Sequence, residues 1–424
     1  MNDVSAAGAS LVHRRRSDEA GRAGRRRVLL VAEAVTLAHV ARIVALAQSL
    51  DPEVFDVCVA CDPRYEAVFG DQPFPVKAIT TISGDRFFTA LAKGSPIYDV
   101  ATLTGYVQED FSLIRSFDPD VVVGDFRLSL EVSARLAGVT YVTVTNAYWS
   151  PYATIGYPVP DIPLCRVLGP AIAQHLFDLI RPAAFALHAR PLNTLRRRFG
   201  FASLPLDLRD AYTRADYTMY ADVPELVPCA NLPVTHRYIG HVAWQPQGAL
   251  PRWWNELPGD LPIIYVTLGS SGARRLLHLV LEALAPLDVR VMASSAGCVS
   301  PAKVPENAHV ADYLPGNSAA GTASLVICNG GSPTSYQALA AGKPVIGIAS
   351  NLDQYLNMSQ IDAYGAGMLL RGGQATVAGI RQAVRHVLGT PAFARAADRL
   401  ASAIAGYPTA LFQGEISRIV MQRA

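Results

Sequence analysis

The sequence predicts an α/β fold of two Rossmann-like, doubly wound domains that face each other across a cleft. Three observations predict this fold class. Short β-branched runs alternate with longer helical patterns in both halves of the chain, which is typical of parallel sheets. The alternation lapses once, between His241 and Pro262, where Pro, Gly and Trp are concentrated. The chain has 424 residues, of which 50% are hydrophobic, so it can supply two cores of ordinary size.

The first half follows an order of strand, helix and strand. Its first strand is predicted from the apolar run Val28–Ala32, and its first helix from the apolar periodicity that follows. The predicted strands of this half span 28–32, 54–60, 120–124, 140–145, 217–220 and 238–240, and the predicted helices span 38–50, 98–117, 130–136 and about 171–200.

After the linker the same alternation begins again. Strands are predicted at 263–268, 289–293, 325–328, 345–348 and 368–370, and the first helix at about 274–285. The chain is therefore divided into a disordered Arg-rich tail (1–26), an N-terminal domain (27–240), a linker (241–261), a C-terminal domain (262–405) and a final helix that packs back toward the N-terminal domain (406–424). Ligands of such sheets bind outside the carboxyl ends of the strands, so we expect the cleft there.

Charge is spread unevenly along the chain. The formal net charge is +2, yet residues 1–27 contain seven Arg and three acidic residues, so the remainder is slightly negative. That balance argues against a nucleic-acid-binding surface. The Arg-rich tail is interpreted as solvated, and the alternative is peripheral contact with anionic membrane lipids. No run approaches the roughly 20 apolar residues that cross a bilayer.

The six cysteines stand at positions 58, 61, 165, 229, 298 and 328. Cys58 and Cys61 form a CxxC pair, but they end a strand-like run in which residues three apart face opposite sides. No second pair follows at zinc-finger spacing. We therefore expect free, buried thiols in a cytoplasmic protein.

The segment 324–357 carries the strongest indication of chemistry. A buried strand ends at residue 328, and Asn329–Gly331 form a turn where missing side chains let a ligand approach the backbone. Ser332 has the residue type of a helix N-cap, and Pro333 fits the first helical position. Such a helix start suits a phosphate group, and Asp353–Gln354 at the next helix suit sugar hydroxyls. The alternative is an ordinary connection between strand and helix.

This segment resembles the donor-binding motif of the family 1 GT-B glycosyltransferases, the macrolide, plant-metabolite and UDP-glucuronosyl type. The resemblance extends to the family's aromatic turn at 310–315 and its FGS turn at 266–272. It implies a GT-B fold whose C-terminal domain binds a UDP- or dTDP-sugar donor and whose N-terminal domain binds the acceptor. Ten residues match the motif at fixed spacing, namely Gly330, Gly331, Thr334, Ala338, Leu339, Gly342, Pro344, Asp353, Gln354 and Asn357.

The resemblance also implies the role of each donor-binding residue. Tyr313, which precedes Leu314, would stack on the donor base, and Ser270 and Ser271 would reach the diphosphate. The other donor-binding residues that it implies are Leu314, Asn329, Gly330, Gly331, Ser332, Thr334, Gln337, Asp353, Gln354 and Asn357.

On the donor side, three residues depart from the family pattern. The family's phosphate-binding His is Asn329 here, its ribose-binding Glu is Gln337, and Gly316 replaces a usual Gln. Asn and Gln still donate and accept hydrogen bonds, but each loses a charge-assisted bond worth on the order of 1 kcal/mol or more. We expect altered donor selection, and the alternative is a non-catalytic member that binds a nucleotide sugar or a partner protein.

His39 and Asp125 are the candidate catalytic residues. The loop Glu33–His39 resembles the family's loop that ends in Gly-His, with Ala38 in place of Gly. A neutral imidazole can take a proton from an acceptor hydroxyl as the oxygen attacks. Asp125 ends a neighbouring strand, and family members place an Asp there to hold the imidazole. The alternatives are a capping or core histidine and an Asp that caps the next turn.

No metal ion and no cofactor are expected beside the nucleotide-diphosphate sugar as co-substrate. The nine His show no metal-ligand spacing, and members of this family work without a metal. The resemblance therefore implies an inverting, metal-independent transferase. A GT-B epimerase is an alternative, and a phosphorylase is disfavoured because only Lys303 and Lys343 in the C-terminal half could carry its cofactor.

Two aromatic stretches, 73–99 and 146–163, are predicted to be loops beside the proposed base. Phe87, Tyr148 and Trp149 are the residues predicted to bind the acceptor. Aromatic loops at a cleft suit a small hydrophobic or aromatic acceptor, such as a natural product or a lipid. Equally, these side chains could close the core of the domain.

Overall fold

The computed structural model describes residues 24–66, 70–244, 250–257, 260–269, 274–295, 297 and 304–422. These residues form two sheets, one in each half of the chain, in which all named strands pair in parallel. Helices connect most of the strands. This architecture confirms the predicted fold class. Ser270, Ser271, residues 1–23 of the Arg-rich tail and part of the predicted linker lie outside the described residues.

The first sheet has seven strands and lies in the N-terminal half. Its strands are β1 (Arg26–Ala32), β2 (Phe55–Cys61), β3 (Val76–Ala78), β4 (Val121–Asp125), β5 (Thr140–Thr145), β6 (Tyr217–Tyr220) and β7 (His236–Tyr238). Their order in the sheet is β3-β2-β1-β4-β5-β6-β7. The helices of this half are α1 (Leu37–Gln48), α2 (Gly84–Lys93), α3 (Val100–Phe117), α4 (Leu130–Ala137), α5 (Pro163–Arg198) and α6 (Leu208–Thr213).

The second sheet has six strands. They are β8 (Ile263–Thr267), β9 (Arg290–Ser294), β10 (Ala308–Ala311), β11 (Leu325–Cys328), β12 (Val345–Ala349) and β13 (Gly367–Arg371), in the order β10-β9-β8-β11-β12-β13. The helices of this half are α7 (Arg274–Leu284), α8 (Gly316–Thr322), α9 (Ser332–Ala340), α10 (Leu352–Tyr364), α11 (Val377–Gly389), α12 (Pro391–Ala405) and α13 (Ala410–Met421).

Strand β1 illustrates why continuous apolar runs form the centre of these sheets. Val28 and Leu30 belong to one core cluster, whereas Leu29 and Val31 belong to another. Helices cover both faces of a parallel sheet, so its strands need apolar side chains on both faces. The uninterrupted run therefore forms a fully buried strand, as predicted.

The cysteines follow the same rule. Cys58 lies in the cluster on one face of β2 and Cys61 in the cluster on the other face. Burial raises the pKa of Cys58 to about 11 and that of Cys61 to about 12, so both stay protonated at neutral pH. The five cysteines within the described residues are free, and all of them except the half-buried Cys229 are buried, as predicted; Cys298 lies outside those residues.

The stretch 73–99 is more regular than the predicted loop, because it contains β3 and α2. The Ser83 hydroxyl accepts a hydrogen bond from the backbone N–H of Arg86 at 3.2 Å, and Gly94 ends the helix in the left-handed conformation. Both are ordinary signals for a helix start and stop. The prediction of a loop at this position is corrected.

Helix α5 is long but interrupted. It runs from Pro163 to Arg198 and is broken by non-helical backbone at Gly169, where φ is 74°. Three internal prolines follow, at positions 170, 182 and 191. Neither α5 nor any other helix in the described ranges is long and apolar enough to cross a membrane.

The last helix returns to the N-terminal half. Side chains of α13 join the core cluster that contains β1 and α1, namely Phe412, Ile416, Ile419 and Val420. Just before α13, Tyr407 lies close to Gly240 of the N-terminal half. Gly240 has φ of 75°, and an added Cβ there would collide with Tyr407. A glycine is required at this close crossing.

We predict that Phe412→Ala destabilises the protein by about 3–5 kcal/mol, because it leaves a cavity in a packed core. Phe412 is 1% exposed, whereas Leu411 on the same helix is 37% exposed. Leu411→Ala is therefore the matched control, with an expected cost below about 1 kcal/mol. Urea denaturation followed by circular dichroism measures both variants. Equal losses of stability would contradict this packing of α13.

Candidate active site

The candidate site lies where the strand order reverses in each sheet. In the first sheet β1 and β4 are neighbours, with Ala32 in register with Asp125. In the second sheet β8 and β11 are neighbours, with Thr267 in register with Cys328. Loops that leave neighbouring strands in opposite directions open a crevice at the carboxyl ends of those strands. His39 follows β1, Asp125 ends β4, and the turns at Gly269 and Asn329 follow β8 and β11.

The structure brings His39 and Asp125 together. His39 stands in the first turn of α1, and its Nδ1 lies 2.9 Å from Oδ1 of Asp125 at the end of β4. The carboxylate is buried, while 23% of the imidazole side chain is exposed. An Nδ1–H that donates to the carboxylate leaves Nε2 as a hydrogen-bond acceptor. The ring also stacks on Phe126, with 4.9 Å between the ring centres.

Arg42, which the sequence analysis did not identify, completes the surroundings of Asp125. It lies one helical turn after His39, and its Nη1 is 3.3 Å from Oδ2 of Asp125. Its Nη2 donates to Oδ1 of Asn146 at 2.8 Å. Burial opposes the charge of the guanidinium, but the combined fields of Asp125, Tyr148, Asp222 and Asp353 outweigh burial and raise the pKa of Arg42. An arginine within an otherwise apolar helix, VARIVALA, was the available signal.

Asn146 extends this series of buried polar contacts from one half of the protein to the other. Its Nδ2 donates to both carboxylate oxygens of Asp222 at 3.2 Å and to the hydroxyl of Ser332 at 3.0 Å. Asn146 follows β5, Asp222 follows β6, and Ser332 begins α9. Burial raises the pKa of Asp222, and the hydrogen bonds from Ala147 and Asn146 oppose that rise. The polar contacts therefore run from the proposed base to the start of the donor-side helix.

A second buried cluster ties the loops after β1 and β4 together. Arg127 donates to Glu33 and to Asp110, each at 2.9 Å, and its guanidinium lies 3.7 Å from the ring centre of Tyr106. Burial raises the pKa of Glu33 and Asp110, and Arg127 opposes the rise. The backbone N–H of Glu33 also donates to the carbonyl of Asp125 at 3.1 Å. These contacts fix the loop before His39 relative to the end of β4.

The glycine turn before α9 forms as predicted, with one correction. Gly330 has φ of 81°, and an added Cβ there would collide with Met358, so this position requires glycine. The N-cap of α9 is Gly331 rather than Ser332, which is the first helical residue. The hydroxyl of Ser332 instead accepts the hydrogen bond from Asn146. The Ser332 side chain therefore contributes to the contact between the two halves and does not cap the helix.

Asn329 lies between the two glycine-containing turns of the donor side. Its Oδ1 accepts a hydrogen bond from the backbone N–H of Gly331 at 3.1 Å. Its amide nitrogen lies 3.3 Å from where a Cβ on Gly269 would stand. Gly269 follows β8, so the turn after β8 and the turn after β11 meet at this amide. Ser270 and Ser271, the predicted diphosphate ligands, lie outside the described residues.

Gln337 and Gly316, two of the departures from the family pattern, are in contact. An added Cβ on Gly316 would collide with the side-chain amide of Gln337. The Nε2 of Gln337 donates to the backbone carbonyl of Trp244 at 2.8 Å. A carboxylate at this position would set an oxygen against that carbonyl. The contact with the predicted linker therefore explains why position 337 has Gln and not Glu. This contact also uses one N–H of the Gln337 amide.

Among the predicted donor-binding residues that the structure describes, Tyr313 is the most accessible. It follows β10, is 55% exposed, and its hydroxyl lies above Gly297. An exposed ring at the carboxyl end of a strand can stack on a base. Leu314 is buried beside it, and Thr334 is half-buried in the first turn of α9. Leu314 therefore supports the turn rather than contacting a ligand by its side chain.

Three other predicted donor-binding side chains make contacts within the protein. Asp353 accepts a hydrogen bond from Nε1 of Trp149 at 2.8 Å. Gln354 forms a capping box with Asn351 at the start of α10. Asn357 is buried and donates to the carbonyl of Gly330 and the hydroxyl of Ser335, each at 2.8 Å. The amides of Gln354 and Asn357 therefore hold the helix start and the glycine turn, and their contact with a donor stays a prediction.

The predicted acceptor-binding residues also need correction. Tyr148 is 0% exposed and lies in the core cluster at the junction of the two halves, so it cannot contact an acceptor in this structure. Trp149 is half-buried and bonded to Asp353. Phe87 is buried and packs edge-on against Phe126, the ring that stacks on His39. Phe126 is therefore the aromatic residue next to the proposed base.

Among the described residues, no group of three or more His, Cys, Asp or Glu side chains is arranged to hold a metal ion.

Comparison with known proteins identifies the family. Residues 278–419 match the model of the erythromycin biosynthesis protein CIII-like C-terminal domain. A PGL/p-HBAD biosynthesis glycosyltransferase of Mycobacterium tuberculosis is 51% identical over 390 residues, which cover 91% of each chain. A PGL/p-HBAD biosynthesis rhamnosyltransferase of Mycobacterium bovis is 52% identical over 381 residues, which cover 90% of this chain and 85% of that protein.

Solved structures agree on the fold. The spinosyn forosaminyltransferase SpnP superposes with a TM-score of 0.70 at 17% identity, over 94% of this chain and 100% of that chain. The spinosyn rhamnosyltransferase SpnG complexed with thymidine diphosphate gives a TM-score of 0.66 at 20% identity, over 92% and 99%. The chain is therefore a glycosyltransferase of the GT-B fold, and it belongs to the family that contains the mycobacterial PGL/p-HBAD biosynthesis glycosyltransferases.

Proposed function

We propose that this enzyme transfers a sugar, with inversion and without a metal ion, from a nucleotide-diphosphate sugar to a hydroxyl of a small hydrophobic or aromatic acceptor. The observation that carries the proposal is the 2.9 Å contact between His39 and a buried Asp125 at the carboxyl end of β4. On the opposite side of the junction stands a glycine turn that leads into the N-terminus of α9.

The acceptor side supplies the base. With Nδ1–H of His39 bonded to Asp125, Nε2 takes the proton of the acceptor hydroxyl while the oxygen attacks the anomeric carbon. Asp125 stabilises the imidazolium that forms. Phe126, stacked on the imidazole, restricts its rotation and offers an apolar surface to an aromatic acceptor.

The donor side receives the leaving group. As the new carbon–oxygen bond forms, the bond from the anomeric carbon to the diphosphate oxygen breaks, and the electron pair leaves with the diphosphate. Backbone N–H groups and the positive end of the α9 dipole stabilise that charge. Pro333 has no N–H, so Ser332 and Thr334 are the donors of the first turn. Tyr313 stacks on the base of the nucleotide.

The donor is proposed to be a dTDP- or UDP-sugar, and a deoxysugar such as rhamnose is favoured. A relative 52% identical is a rhamnosyltransferase, and a structural neighbour is complexed with thymidine diphosphate. The contacts of Gln337 support altered ribose recognition, because its amide N–H is already bonded to the carbonyl of Trp244. The relatives' role in PGL/p-HBAD biosynthesis supports an acceptor of that pathway.

The test is nucleotide-diphosphate release from dTDP-rhamnose or UDP-glucose in the presence of phenolic acceptors. We expect acceptor-dependent release that persists in EDTA, with an inverted anomeric configuration by NMR. His39→Ala should lower kcat by about 100-fold or more, because it removes the base. Binding of dTDP, measured by calorimetry, should be unchanged.

Nucleotide binding without transfer to any acceptor would favour the alternative of a nucleotide-sugar-binding protein. Full activity of His39→Ala would refute the base assignment. His175→Ala, at an exposed position on α5, is the matched control and should keep the activity of the wild type.

Arg42→Met should destabilise the protein by about 3–5 kcal/mol, because it leaves the buried carboxylate of Asp125 without its cationic partner. Urea denaturation followed by circular dichroism measures the loss. A variant as stable as the wild type would mean that the Asp125 carboxylate does not depend on Arg42.

A further inference from the structure

Exposed apolar side chains are concentrated on two helices of the N-terminal half. Seventeen large apolar side chains are exposed among the described residues, and eight of them lie in α2 or α5, namely Phe88, Leu91, Val167, Leu168, Ile172, Leu179, Ile180 and Leu187. These helices contain 10 and 36 residues of the chain. Exposed apolar side chains concentrated on two neighbouring helices indicate an interaction site.

On α5 the exposed apolar residues form one stripe. Ile172, Leu179, Ile180 and Leu187 are separated by seven, one and seven residues, a spacing that puts them on one face of a helix. Their exposed fractions are 60%, 78%, 48% and 42%. The buried Phe185 and Leu192 lie on the other side of the helix. The apolar stripe therefore faces away from the core of the protein.

The same stripe becomes basic toward the end of the helix. Arg190, Arg197 and Arg198 continue its spacing and are exposed, as is Lys93 at the end of α2. The exposed carboxylates of the two helices are Asp85 and Asp178, so cations exceed anions on this surface. Apolar side chains beside a cluster of cations fit an anionic lipid surface, which offers acyl chains and negative headgroups together.

The two helices meet, and their contact leads toward the proposed base. Nε2 of His188 lies 3.1 Å from the carbonyl oxygen of Gly94 at the end of α2. From α2, the ring of Phe88 contacts Phe87 and Phe87 contacts Phe126, with 5.3 Å and 6.2 Å between ring centres. Phe126 stacks on His39. An unbroken series of aromatic rings therefore joins the exposed surface to the imidazole.

We propose that the α2–α5 surface docks the enzyme on an anionic membrane and so admits acceptors with a long aliphatic part to His39. The α2–α5 surface is defined by Phe88, Leu91, Ile172, Leu179, Ile180, Leu187, Lys93, Arg190, Arg197 and Arg198. Docking as such is independent of the transfer reaction, whereas delivery of the acceptor rests on the proposed function. The aliphatic part remains in the bilayer or on this surface, and the hydroxyl-bearing head reaches the base past Phe126.

Co-sedimentation with vesicles of phosphatidylcholine and phosphatidylglycerol tests the docking surface. The full chain should bind vesicles that contain phosphatidylglycerol and lose binding in vesicles of pure phosphatidylcholine or in high salt. The affinity of the variant Ile172→Glu/Leu179→Glu for these vesicles should fall by about 10-fold or more. The control Leu206→Glu/Val234→Glu changes the charge equally at positions 55% and 78% exposed, and it should bind like the wild type.

Equal vesicle binding by both double variants would overturn the proposal, and it would indicate that the Arg-rich tail binds the membrane instead. No vesicle binding by the wild type, or a dimer that Ile172→Glu/Leu179→Glu dissociates, would also overturn it. Transfer to a short, water-dissolved acceptor separates this result from the proposed function. That activity should be the same in both double variants and in the wild type, and its absence from all three would contradict the proposed function alone.

Discussion

The buried carboxylate of Asp125 contacts His39 through one oxygen, at 2.9 Å, and Arg42 through the other, at 3.3 Å. A charge in such a position costs free energy unless it is paired and hydrogen-bonded, and loss of one partner from a buried pair costs about 3–5 kcal/mol. The contacts continue from Arg42 to Asn146, and from Asn146 to Asp222 and Ser332. The orientation of the imidazole is therefore linked to the packing of the two halves, since Ser332 belongs to the donor-side helix.

The junction between the halves also explains one departure of the donor side from the family pattern, the Gln at position 337. Gln337 bonds to the backbone of Trp244, and the Ser332 hydroxyl accepts from Asn146 rather than capping its own helix. Trp149 donates to Asp353 in the same way across the junction. Side chains that a sequence motif assigns to the donor are partly used to hold the domains together. In the proposed mechanism, recognition of the nucleotide sugar then depends more on backbone N–H groups, the dipole of α9 and the exposed ring of Tyr313.

Local patterns predicted most of the fold, because buried strands and amphipathic helices have distinct periodicities. The β1 run and the strand–turn–helix at 325–340 are examples. The pairing of His39 with Asp125 also followed from strand order and loop resemblance. Arg42 and Asp222 were missed because their importance arises from contacts between residues 76 to 104 positions apart. Tyr148 was misassigned, since aromatic composition does not distinguish a ring at a cleft from one in a core.

The central claim is that His39 receives the acceptor's proton opposite a diphosphate held at the start of α9. A crystal structure of the enzyme with dTDP and an acceptor tests it most directly. We expect the diphosphate at the backbone N–H groups of Ser332 and Thr334, and the acceptor hydroxyl about 3 Å from Nε2 of His39. A diphosphate bound elsewhere, or an acceptor hydroxyl facing another titratable side chain, would contradict the claim.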